Sequence, residues 1–137
     1  MKKRLKNYLS VMGASMLMLS VSMSVFAADS EIISIPADMK WGTKYSASHN
    51  TGYSYVRARC HSVYPVSGVD NFSTIRCRIV NNSGTIISKE SYVKLSEGSS
   101  DFTKINLKDG YINLSTVNFQ FCGNTKASAQ AVVSYRG

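Results

Sequence analysis

The sequence predicts an all-β fold: a single antiparallel β-sandwich, or partly closed barrel, of about eight short strands following a cleaved signal peptide. Three observations predict it. Apolar and polar residues alternate with period two through most of the chain from Tyr53 onward. No apolar stripe at helical spacing competes with that alternation, and clusters of Asn, Gly and Ser divide it at short intervals. Many short half-buried strands separated by turns are the pattern of a sandwich or barrel.

Residues 1–27 read as the signal peptide and 28–137 as the secreted domain. Lys2, Lys3, Arg4 and Lys6 open the chain, and no charge follows from Asn7 to Ala28. A basic n-region ahead of an apolar segment is the form of an export leader, its positive end held on the cytoplasmic side. Val25-Phe26-Ala27 supplies the small-x-small cleavage pattern, with a cut after Ala28 as the neighbouring alternative. Ser10, Ser15, Ser20, Ser22 and Ser24 dilute the apolar run, which favours cleavage over retention as an anchor. Contact with a membrane is therefore expected only in transit. The Lys-led, Met-rich leader is of bacterial type, and the expected destination is outside a Gram-positive cell. Four of the 16 basic residues lie in the leader and all eight acidic residues lie after it, so cleavage lowers the formal charge from +8 to +4. That modest balance allows anionic partners without indicating nucleic acid.

After a possible first strand at 31–35, the stretch 28–51 reads as loosely packed, because Gly42, Ser46, Ser48 and Asn50 thin its hydrophobicity. In 53–64 one face reads Val56, Ala58, Cys60, Ser62, Tyr64 and the other Arg57, Arg59, His61. In 72–80 Ile75, Cys77 and Ile79 alternate with Thr74, Arg76 and Arg78. These two strands are expected to form a hairpin around 65–71. Asn81-Asn82-Ser83-Gly84 is a turn signal, since Asn and Gly tolerate positive φ, and 85–88 is expected to pair back. Further strands are expected at 92–95, 102–107, 111–114, 116–121 and 127–135. Val117, Phe119 and Phe121 face one way and Asn118 and Gln120 the other. Ala127, Ala129, Ala131, Val133 and Tyr135 form another inward face, small enough for close packing.

Three cysteines in an exported domain allow one internal disulfide. The expected hairpin sets Cys60 opposite Cys77 on the apolar faces, which favours that bridge; Cys77 with Cys122 is the alternative, and three reduced buried thiols the plain one. A structural metal is not expected, because Cys60, Cys77, Cys122, His49 and His61 include no close ligand pair. No cofactor signature is present. An enzyme is not expected either: neither histidine has a recognisable catalytic context, and adjacent Cys60 and His61 point to opposite faces of a strand.

The same hairpin sets Arg59 opposite Arg78 and His61 opposite Arg76, with Arg57 alongside. Like charges facing across strands destabilise a sheet, so an anion is one way to offset them. Arg presents a planar fork to phosphate, sulfate or carboxylate, and Tyr53 or Tyr55 on the same face offers flat surface to sugar rings. Arginines that merely keep a sheet edge soluble are the plainer alternative. Trp41, in a polar segment, is a further candidate contact or a cap on the core. The leading expectation is a non-enzymatic secreted protein that binds an anionic polymer, glycan or other envelope component. Trp41-Gly42, the Ser/His/Tyr-rich run 45–55 and the leader also resemble the small β-sandwich bacteriocins of the lactococcin type. That resemblance implies a secreted antagonistic peptide or toxin, although this chain is longer and adds cysteines and arginine-rich strands.

Overall fold

The computed structural model describes residues 30–66 and 72–137. The leader, with its cleavage site at Ala27 and Ala28, lies outside the described residues, as does 67–71. Eight strands are formed: β1 (Ser30–Ile35), β2 (Tyr45–Ser48), β3 (Tyr55–Pro65), β4 (Thr74–Val80), β5 (Val93–Ser96), β6 (Thr103–Asn106), β7 (Thr116–Gly123) and β8 (Ala129–Arg136). They make two four-stranded antiparallel sheets, ordered β1-β8-β3-β6 and β2-β7-β4-β5. Among the described residues no helix is long and apolar enough to cross a membrane.

The inward residues of both sheets share one hydrophobic cluster. Ile33, Ile35, Val56, Ala58 and Val133 from the first sheet belong to it with Ile75, Ile79, Leu95, Phe119 and Phe121 from the second. Tyr45, Phe119, Phe121 and Tyr135 pack ring against ring, with Phe119 and Tyr135 centroids 4.8 Å apart. Tyr135 reaches past this group to donate to Glu31 Oε1 at 2.7 Å. Burial and the Glu31 carboxylate both push its phenol pKa up. Each fully buried Ile or Phe stabilises the fold by roughly 1.5–3 kcal/mol, so the alternation along each strand decides which face turns inward.

The expected hairpin is not formed. β3 has β8 and β6 as neighbours, and β4 has β7 and β5, so the two arginine strands belong to different sheets. Both edges of each strand are occupied, which removes the register that set Cys60 beside Cys77. The expected Cys60–Cys77 bridge is corrected accordingly: all three cysteines are free thiols, and all three are buried.

Other differences have local causes. A β-bulge between Cys60 and Ser62 shifts the phase of β3, so Val63 turns inward at 7% exposure and Tyr64 outward at 43%. An extra residue in one strand does this because side chains alternate strictly. Residues 85–88 do pair back on β4, through the Val80–Ile86 bridge and the Ile87 amide donating to the Ile79 carbonyl at 2.9 Å, but they form no named strand, and Ser88 bridges Leu107 instead. The turn before them is built as expected: Asn81 Oδ1 accepts from the Ser83 and Thr85 amides, and Gly84 has φ +91°. A 3-10 turn, Asp109–Tyr111, replaces the strand expected at 111–114. β2 was not anticipated; its four residues pair with β7 from Tyr45 opposite Phe119 to Ser48 opposite Thr116.

Candidate anion-binding surface

The outer face of the first sheet gathers cations from three strands. Arg57 is directly opposite Lys104 of β6 on one side and Arg136 of β8 on the other. Neighbouring strands lie about 4.8 Å apart, so three positive side chains form a row across the sheet. Phe102 stands beside that row: the guanidinium carbons of Arg57, Arg59 and Arg136 lie 5.6, 5.8 and 4.8 Å from its ring centroid. Lys104 Nζ lies 4.4 Å from the Tyr55 centroid, and Tyr55 is stacked on Tyr53 at 5.8 Å with 5° between planes. Tyr53 is 53% exposed, leaving an aromatic platform at one end of the cation row.

Arg59 is the most constrained member. One terminal nitrogen donates to the Ser100 carbonyl at 3.1 Å and the other to His61 Nδ1 at 3.3 Å. An arginine can only donate, so Nδ1 is the acceptor and the proton of a neutral ring sits on Nε2, which donates to Ser134 Oγ at 2.8 Å. The remaining Arg59 nitrogen, Nε, is buried with no partner.

None of the outward positions on β1, β3, β6 and β8 is a carboxylate, and Glu31, on the inward face of β1, is engaged by Tyr135. Among the described residues neither Arg57 nor Arg59 forms an ion pair; Lys89 and Asp109 do, at 3.7 Å, on a different part of the molecule.

Arg76 and Arg78 stand on the outer face of the other sheet. The five-residue patch expected from the sequence is therefore divided: Arg57, Arg59 and His61 are together with Tyr53 and Tyr55, whereas Arg76 and Arg78 join Trp41. Arg78 lies 4.3 Å from the Trp41 ring centroid and donates through Nε to Gln120 Oε1 at 3.0 Å. Arg76 lies 4.8 Å from the Tyr92 centroid and donates to Asn124 Oδ1 at 3.4 Å. Trp41 and Tyr92 are 6.4 Å apart. Gln120 in turn donates to the Gly42 carbonyl, and the Gly42 amide donates to the Phe121 carbonyl. Together these contacts clamp the Trp41 segment onto the second sheet. Cys122 lies under the same segment and donates to the Met39 carbonyl at 3.0 Å. Burial raises its thiol pKa against the opposing pull of Arg76 and Arg78.

Phe102, Lys104, Arg136 and Ser134 were not among the expected site residues. Lys104 and Arg136 each alternate outward on their own strands, but nothing local announces that β6 and β8 flank β3. Cys60 points into the core and His61 away from it, and burial with the nearby Glu97 carboxylate pushes the Cys60 thiol up to about 12. Among the described residues no three His, Cys, Asp or Glu side chains group as a metal site. No family model, curated protein or solved structure matches the chain.

Proposed function

We propose that the chain is a secreted, non-enzymatic β-sandwich that binds an anionic polymer or acidic glycan of the cell surface through the outer face of its first sheet. The Arg136, Arg57, Lys104 row beside Phe102, with no carboxylate on that face, carries this reading. Two unit charges about 5 Å apart repel by roughly 1 kcal/mol even in water. An exposed cation–π contact returns about 0.5–1 kcal/mol. The aromatic ring thus roughly cancels the repulsion without neutralising the charge, and the cluster still gains from a polyanion. The Tyr53 and Tyr55 rings add a stacking surface for sugars, and the leader takes the protein to where such polymers are.

The test is retention of the purified protein on immobilised dextran sulfate and polygalacturonate across a salt gradient. Arg57→Ser with Arg136→Ser is expected to elute at clearly lower salt and to show a flatter salt dependence. Lys40→Ser, an exposed loop change of the same sign, should shift elution little. Equal elution of the folded double variant and the parent protein would remove the proposal.

A further inference from the structure

β3 changes partner at Arg59. Residues Tyr55 to Ala58 pair with β6, whereas Cys60 bridges Glu97, and the Cys60 and His61 carbonyls both accept from the Gly98 amide, at 3.1 and 3.0 Å. Residues 98–102 connect these two pairings. A cavity of about 150 Å³ lies at this junction, lined by Arg59, Lys94, Ser96, Ser99 and Thr103, with buried Leu95 also on its wall. That is room for roughly five waters at their liquid volume, enough for one tetrahedral oxyanion.

Its lining is one-sided in charge. Arg59 arrives from the first sheet and Lys94 from the second, and no carboxylate lines the cavity. Glu97, just past the end of β5, accepts from the Val63 amide at 2.9 Å. Ser99 is turned to the Asp101 carbonyl at 3.1 Å, and Ser96 is only 3.5 Å from Thr74 Oγ1, the limit of a hydrogen bond. Arg59 lines the cavity, and each of its terminal nitrogens keeps a second N–H beyond the bonds to Ser100 and His61, whereas its buried Nε does not face the space.

We propose that this cavity binds a sulfate or phosphate group, with the Arg59 guanidinium and the Lys94 ammonium as the charged groups and the Thr103 and Ser96 hydroxyls as neutral donors. A tetrahedral anion suits it better than a planar carboxylate because the donors come from β3, β5 and β6 and so surround the ligand. Through Arg59 the cavity adjoins the cation row, so a sulfated or phosphorylated polymer lying on that face can place one substituent here. This last step rests on the proposed polymer binding; capture of the free ion does not.

Titration of the purified protein with sodium sulfate and, separately, sodium phosphate, replacing chloride at constant ionic strength and followed by amide and Arg59 guanidinium NMR shifts, tests the site. Saturable shifts are expected at residues 94–96 and 99–103 and at the Arg59 guanidinium. Lys94→Met, an exposed change that leaves the core untouched, should weaken binding about tenfold or more, as loss of a charge-assisted bond does. Absence of saturation with either ion, or undiminished binding by folded Lys94→Met, overturns the proposal. Retention of the same variant on dextran sulfate and on carboxylated polygalacturonate separates the sources. Weaker retention on the sulfated polymer alone places a polymer substituent in the cavity. Ion binding without retention on either polymer leaves the cavity standing and removes the polymer reading.

Discussion

Arg57 and Arg78 have the same charge and the same alternating strand context, but their surroundings give them different work. Arg78 is stacked on Trp41 and hydrogen-bonded to Gln120, and burial lowers its pKa from the usual arginine value. Arg78→Ala should cost about 1–2 kcal/mol, the sum of a cation–π contact and a hydrogen bond. Urea unfolding followed by emission of Trp41, the chain's single tryptophan, measures it. Arg57→Ser should change stability by no more than about 0.5 kcal/mol or raise it slightly, because it relieves repulsion from Lys104 and Arg136. A sequence shows both arginines but not their neighbours, so the two could not be told apart there. The thiols follow similar logic. Burial moves Cys60 from an ordinary 9.0 to about 12, and Cys77 upward in the same direction. An unfolded thiol ionises near 9 while the folded one stays protonated, so the folded state binds more protons. Stability contributed by these thiols is intact below pH 9 and falls as pH rises from about 9 to 12. Urea midpoints at pH 7.5 and 10 should show the loss, and iodoacetamide should leave Cys60 and Cys77 of the folded protein unmodified at neutral pH.

At the level of strands, alternation revealed inward faces well and partners poorly. Ile75, Cys77 and Ile79, and Val117, Phe119 and Phe121, are buried as their spacing indicated, because one face of each strand meets a shared core. β2 escaped notice since Ser46 and Ser48 face outward and only Tyr45 and Ala47 mark its inner side. Pairing was misread where consecutive strands were assumed to be neighbours; β3 and β4 follow one another in the chain yet enter different sheets. That single topological step also divided the arginine patch. The bulge in β3 was equally silent, since one inserted residue leaves no compositional mark. Its role is nonetheless testable. Deleting His61 would remove the extra residue and leave Cys60, Ser62 and Val63 opposite Val133, Val132 and Ala131 without a break, with Val63 still inward. The deletion should therefore cost only about 1 kcal/mol, through loss of the His61 hydrogen bonds with Arg59 and Ser134. A lower urea midpoint with an unchanged slope would show it.

Among the described residues charge is partly sorted by position. Seven of the twelve basic residues, Arg57, Arg59, Arg76, Arg78, Lys94, Lys104 and Arg136, stand on strands, whereas of the six carboxylates only Glu31 does, and Asp38, Glu90, Glu97, Asp101 and Asp109 lie outside the named strands. Net charge hides this arrangement, which places positive faces on both sides and carboxylates between strands. Class and strand number were legible because they follow from local alternation; the sheet order was not, because it depends on long-range pairing. β8 is the clearest instance. It lies between β1 and β3 and joins the beginning of the described chain to its end. A chain stopped at residue 128 should therefore lack cooperative unfolding and near-ultraviolet dichroism, since β1 loses its sheet and β3 an edge. The same pairing has a consequence for biogenesis. A nascent chain cannot complete the first sheet until β8 has been synthesised, and contacts of such sequence separation form slowly. Until then β1 and β3 wait without the strand that joins them, so β8 sets the moment at which the first sheet closes.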